Sequence, residues 1–525
     1  MDVASFSFAV FQTIDLCLKY GPLLVAKYHT YIEADVRVAE LILRIEGVWV
    51  ITEHQIKILR RIWNTLEGRL QSYQSQVLQH LQIKLQTATI EIDGVIGVSR
   101  EDDNFLPMNL GGKKGPLKKW KILAVEELLY KAVAELEEWR KKFDPSWLLI
   151  ARIANGDIDR QLTANSNGPS NATSLLKSIR DTLREDANPE ESGPSIFLND
   201  TADKLDPILI PHCSALLSFD RDEGTSAIID TTTYPPRSDM TVATLHVRNV
   251  ARILSKSDPW TFGLLACRGA IKIWDSSGQI SQFELVFDVP SGLQNPASLR
   301  SRLLSQPKIS LDNRLHLAKS LARSVMFVHT SGFVHKNIWP ETVVIFEKQS
   351  SELGFPFLVG FERFRPAAAG SKLLGDADWA RNLYRHPKRQ GVLPEDLYIM
   401  QHDIYSLGVC LLEIGIWTSF VNPGKETEAA TPGSLLDIDQ DLPKTRDKVR
   451  AAFDIKRQLV DLAEERLPSQ MGHNFTKIVK SCLTCLDPGE SNVFGKESEL
   501  QDKDEIIVGV HYIEKVLLRL EAISI

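Results

Sequence analysis

Through the first 150 residues apolar side chains recur every three or four positions, and strand-like alternation is scarce. Such a segment hides its apolar surface by packing helix on helix. Residues 1–150 are therefore expected to form an all-α bundle. Its first element, Val3 to Ala26, is one long apolar run broken by Gln12, Asp15 and Lys19. The run is long enough for a bilayer, but a charged residue at mid-membrane costs roughly 2.5–3.5 kcal/mol on insertion. Two readings stay open. One is a first helix packed in the bundle. The other is a helix that docks at rest and enters a membrane when released, with Phe6, Val10 and Phe11 as its membrane-facing side chains. Met1-Asp2 lacks the basic start of a secretory signal.

The stripe continues with Val36, Val38, Leu41, Ile42 and Ile45, then Ile56, Leu59, Ile62 and Leu66. A later seam, Ile122, Val125, Leu129, Ala132, Leu136 and Trp139, runs until Pro145 stops it. Residues 151–194 read as a connector. Asn155 to Ala172 is rich in Asn, Gly, Ser and Asp, Leu175 to Leu183 forms a short amphipathic brace helix, and Asp186 to Pro194 breaks the chain again. The second domain then spans 195–525. Asn422 to Lys444 reads as a polar surface insertion.

Bulk properties narrow the function classes. The 525 residues suffice for two or three domains, and a net charge of −7 argues against wholesale nucleic-acid binding. Lys113, Lys114, Lys118, Lys119 and Lys121 cluster between two helices. They form either a solvated loop or a contact for anionic lipid at about 1 kcal/mol per residue. The 6 cysteines are scattered, as suits a reducing compartment. Cys482 and Cys485 have C-x-x-C spacing without a second pair, so they are expected to pack in a helical core rather than bind zinc. No cofactor or metal site is expected.

Chemistry enters with Phe333-Val-His-Lys-Asn-Ile-Trp-Pro-Glu-Thr-Val-Val-Ile345. This stretch resembles the catalytic loop of a protein kinase, H-R-D-L-K-P-x-N followed by a strand. His335 and Pro340 match the pattern, whereas Asn337 replaces the catalytic Asp and Thr342 the metal-binding Asn. An amide carries no charge and no basic nitrogen lone pair, so it cannot take the substrate proton. Around the loop, Leu311 to His329 has a helical apolar stripe, and Pro356 to Glu362 resembles the strand entering D-F-G. There Gly360 stands for the metal-binding Asp, and Phe361 is retained. Asp403 to Trp417 resembles the central buried helix of a kinase, with Asp403 expected to brace the catalytic-loop backbone. Gly263 to Ile273 and Gln282 to Phe287 read as strands, and Val250 to Leu254 as a helix end. Ala227 to Tyr234 reads as the strand that carries the ATP-contacting Lys in kinases, with Thr232 near that position. No G-x-G-x-x-G precedes it. The resemblance implies a kinase-like fold lacking base, two metal ligands and phosphate clamp.

Leu18-Lys-Tyr20, Tyr31, Ala34-Asp35, Glu40-Leu41, Arg44-Ile45-Glu46, Trp49, Trp139 and Phe143-Asp-Pro-Ser-Trp147 resemble the HeLo or HeLo-like domain of fungal prion-inhibition and propagation proteins. Joined to a degenerate kinase lobe, the chain is similar to mixed lineage kinase domain-like necroptosis effectors. That resemblance implies a multidomain chain, an all-α bundle followed by an α+β protein-kinase-like bilobal fold. It implies a cytoplasmic, non-enzymatic signalling protein of regulated cell death or incompatibility that reaches the plasma membrane on activation. The implied partners are further copies through the helical domain, membrane lipid, and an upstream immune-receptor-like protein. Two other readings remain. One is a weak or atypical kinase recruiting Glu341, Asp376 or Asp378. The other is a scaffold that only binds proteins.

Overall fold

The structure, a computed structural model, describes residues 3–29, 31, 36–66, 68–96, 124–137, 139, 143, 150, 196–198, 205–220, 225–234, 239–305, 309–331, 333–348, 351–361, 365–366, 378–391, 394, 396–424, 429–436, 438, 448–489, 492–494 and 506–523. The lysine cluster at 113–121 and the expected brace helix at 175–183 lie outside the described residues. The chain divides into two compact units, Met1–Ser174 and Leu175–Ile525.

The first unit is helical. Helix α1 (Val3–His29) packs against both α2 (Val36–Ile62) and α3 (Gly68–Ile96), and α4 covers residues 124–137. Among the described residues of α1 the buried apolar side chains are Val10, Ile14, Cys17, Leu24 and Tyr28, a stripe at helical spacing. Gly21 lies under the Trp49 indole so closely that a Cβ there would sit 2.0 Å from the ring. Glycine lets α1 and α2 approach at that point. Trp139 is buried, stacks on Phe143 with centroids 4.5 Å apart, and donates its indole N–H to the Val77 carbonyl at 2.7 Å. Arg60 pairs with Asp15 at 2.6 Å, and Lys27 pairs with Asp93. These pairs are at least partly exposed and are worth about 0–1 kcal/mol each. The apolar stripe does most to hold α1.

The second unit is mixed α/β with antiparallel sheets. Its first sheet has five strands, β1 (Leu205–Leu209), β2 (Ala215–Asp220), β3 (Ser226–Thr233), β4 (Cys267–Trp274) and β5 (Ile280–Asp288), in spatial order β1-β2-β3-β5-β4. Helix α5 (Met240–Leu254) connects β3 to β4. Asp239 caps it by accepting from the Thr241 and Val242 N–H groups, so it begins well before the helix end expected at 250–254. A second sheet pairs β6 (Leu293–Ser298), β8 (Val343–Lys348) and β9 (Ser351–Leu358), and β7 (Phe333–Val334) pairs with β10 (Arg365–Pro366).

Further helices of this unit include α6 (Leu299–Ser305), α7 (Leu311–Thr330), α8 (Met400–Ile416) and α9 (Lys448–Leu483), the last interrupted at Gly472. Every residue of α8 is buried. Its sequence is apolar on all sides, as a central helix requires. Gly408 and Gly415 allow α9 to pack close, since a Cβ would lie 2.7 Å from Cys482 and 2.5 Å from Leu467. Cys482 and Cys485 are both buried here. Of the expected insertion, the described part includes a small pairing of Val421–Asn422 with Thr431–Pro432.

Candidate functional site

The site is built on the loop from His335 to Thr342, between β7 and β8. Asp403, in the first turn of α8, aims its carboxylate at the loop's start. It accepts the His335 N–H at 2.7 Å and the Lys336 N–H at 2.9 Å. Tyr398 donates its hydroxyl to the same carboxylate at 2.6 Å, and His329 Nε2 lies 3.1 Å away. Lys336 has φ 65, the left-handed region that costs a side-chain-bearing residue free energy. Two adjacent N–H groups converging on one anion offset that strain. Burial alone would raise the Asp403 pKa, but hydrogen bonding and charge from His329 outweigh it and the net shift is downward. Burial drives the His335 pKa down to about 4 despite Asp403, so its ring is neutral near pH 7. It lies 5.1 Å from the ring of Phe361.

The altered positions meet one another. Asn337 donates its side-chain amide to the Gly360 carbonyl at 3.3 Å. The Thr342 hydroxyl donates to the Asn337 carbonyl at 2.7 Å and accepts from the Trp339 N–H at 3.2 Å. This closes the turn that Pro340 begins. Gly360 has φ +86, and a Cβ there would lie 2.4 Å from Thr342 Cγ2. The space a carboxylate would need at 360 is filled by Thr342. Phe361 is buried, with its ring 5.7 Å from Phe287.

Thr232 is buried on β3. The side chain that reaches the loop from this strand belongs to Asp230, two residues earlier. Its carboxylate accepts the N–H groups of Gly360 at 3.0 Å and Phe361 at 2.6 Å. Sequence reasoning missed it, although an Asp inside the apolar run Ala227-Ile-Ile-Asp-Thr was a usable signal. A buried carboxylate thus stands two residues from Thr232 on the same strand, and its field repels anions.

Beside the loop, the fully buried Arg300 bonds Glu413 at 3.1 Å and the Tyr384 hydroxyl oxygen at 2.7 Å. Tyr384 in turn donates to Glu413 at 2.8 Å. Glu341 lies 3.8 Å from Arg300, and burial pushes its pKa up to about 7. Asp378 caps a short helix by accepting from the Ala380 N–H, and Asp376 lies outside the described residues. Among the described residues no three His, Cys, Asp or Glu side chains converge as a metal site.

In the first unit the expected membrane-facing residues separate. Val10 is 2% exposed and belongs to the core stripe. Phe11 is half-buried, with the Arg60 guanidinium 5.9 Å from its ring centre. Phe6 lies within α1, but its side chain is outside the described set. Phe8, which sequence reasoning passed over, is 64% exposed. By length and composition the stretch Ser7–His29 is long and apolar enough to cross a membrane, a property that core helices share. No protein-family model matches the chain, and no curated protein matches it.

Proposed function

We propose that this chain is a non-catalytic signalling protein, with a membrane-acting helical unit governed by a kinase-like unit that has lost phosphoryl transfer. The observation that carries the reading is the hydrogen bonding that links Asn337, Gly360, Thr342 and Asp230. Where transfer needs a base, two metal ligands and a cation, these groups bond to each other and to backbone. The bilobal kinase-like arrangement is supported by the β1-β2-β3-β5-β4 order, by α5 between β3 and β4, and by the Asp403 bonds to the loop.

The test pairs two assays on the full-length chain. Phosphotransfer from Mg²⁺-ATP to itself or a generic substrate is expected to be nil, and dye release from anionic liposomes is expected once the chain is activated. Transfer that survives Asn337→Ala but is lost in Glu341→Gln would replace this reading with the atypical-kinase one.

A second reading has its own support. Val10, Ile14, Cys17, Leu24 and Tyr28 make α1 a core helix, as suits a scaffold that binds proteins and never leaves its bundle. Absence of liposome leakage under every activating condition, with specific protein capture retained, would favour it.

A further inference from the structure

The turn joining β1 to β2, Ile210 to Ser214, is fastened to parts of the second unit remote from it in sequence. The Ser214 N–H donates to the Glu341 carbonyl at 3.0 Å. The Pro211 carbonyl accepts from the Ser298 hydroxyl at 2.9 Å and the Ser301 hydroxyl at 2.6 Å. His212 sits at φ 51, in the left-handed region. A histidine held there is strained, and such a conformation persists when surrounding contacts over-determine it. The Cys213 thiol is pushed up to about 12, mainly by burial, with the charges of Asp230 and Glu341 adding to it, and its sulfur accepts from the Ala215 N–H at 3.4 Å. Arg300 lies close enough to help burial depress the His212 pKa.

One residue-length further into the sheet, Asp230 holds the Gly360 and Phe361 amides. Asp230 pairs with Ala215, the residue after the turn, so two sets of bonds tie this end of the five-stranded sheet to the loops at 335–342 and 359–361. In a phosphoryl-transfer enzyme this bridging is done by nucleotide phosphates and metal beneath a flexible glycine loop. Here the turn carries proline, histidine and cysteine instead, and its Ser214 amide is already spent on Glu341.

We propose that the Pro211–Ser214 turn is an internal latch occupying the place of a nucleotide, so that the five-stranded sheet is held on the loop without any ligand. The proposal rests on the kinase-like reading above and deepens it. The closed arrangement is the resting one, nucleotide does not set it, and opening requires the turn to be withdrawn.

The test is amide exchange in the full-length chain, followed at Ser214 and at the Asp403-bound amides of His335 and Lys336, with and without Mg²⁺-ATP. Wild-type exchange is expected to be indifferent to Mg²⁺-ATP. Replacing Ser298→Ala together with Ser301→Ala is expected to speed exchange at Ser214 by about tenfold or more, while His335 and Lys336 stay protected. Ser298 also accepts from the Ser301 N–H at the start of α6, so that variant alone could report a frayed helix. Deleting His212 and Cys213 leaves α6 intact and is expected to give the same result. Protection of wild-type Ser214 by Mg²⁺-ATP overturns the latch while strengthening the kinase-like reading. Unchanged exchange at Ser214 in both variants also overturns it. Phosphotransfer by the wild type would instead bring down the non-catalytic reading.

Discussion

Gly360 is a structural requirement of the loop it sits in. At φ +86, with Thr342 Cγ2 only 2.4 Å from where a Cβ would stand, any larger residue strains the backbone and collides. Gly360→Ala is expected to lower stability by about 1–3 kcal/mol, measured by denaturant unfolding. Adding Thr342→Ser removes the colliding methyl and keeps the hydroxyl, so the double variant should recover part of the loss; strict additivity would refute the contact. Asp230→Asn is expected to cost about 1.5–3 kcal/mol, because the two buried N–H groups share Oδ2 and a neutral amide oxygen accepts them more weakly than a charged carboxylate oxygen. Glu341 gives a pH signature. Burial raises its pKa from 4.5 to about 7; Arg300 and Arg381 oppose this, and Asp378 and Glu413 assist it. The folded state therefore keeps a proton that the unfolded state releases. Its contribution is fully present below pH 4.5 and is lost as pH rises to about 7. Glu341→Gln should flatten that stretch of the stability–pH curve and exceed wild type above neutrality. A parallel displacement of the whole curve would contradict the assignment.

Among the elements, α1 and α8 make opposite demands. The apolar character of α8 on all sides reads directly as burial, and all of it is buried. For α1 the sequence left core and membrane readings open, because both want a long apolar run. Position within the helix separates them: Val10 faces inward while Phe8 faces out. Val10→Asp is expected to unfold the first unit, since an unpaired charge would be buried, whereas Phe8→Asp should leave its helicity intact. If Phe8→Asp also abolishes liposome leakage, the exposed face of α1 carries the activity; if leakage persists, another surface does. Gly21→Ala should destabilise the first unit by about 1–3 kcal/mol through displacement of Trp49, seen as a lowered first transition with the second unit's transition unmoved.

At the scale of the whole molecule, the chain divides between residues 174 and 175 into two compact units, within the stretch whose composition reads as a connector. Several helices and strands were legible because periodicity, caps and glycine placement act over a few residues. Leu311–Thr330 and Ile280–Asp288 lie close to their expected bounds, Cys267–Trp274 begins four residues after the expected Gly263, and β1, β2 and α9 went unread. The identities at 337, 342 and 360 were likewise legible, since they rest on residue type alone. Tertiary structure alone decided what those residues do for one another. Thr342 fills the space at Gly360, and Asp230 binds amides 130 positions away along the chain. The Pro211–Ser214 turn reaches Glu341 and α6 in the same long-range way. The physical reason is range. Backbone preference is a local free energy written in neighbouring residues, whereas the burial of a carboxylate and its choice of hydrogen-bond partner depend on which distant segments the fold brings together.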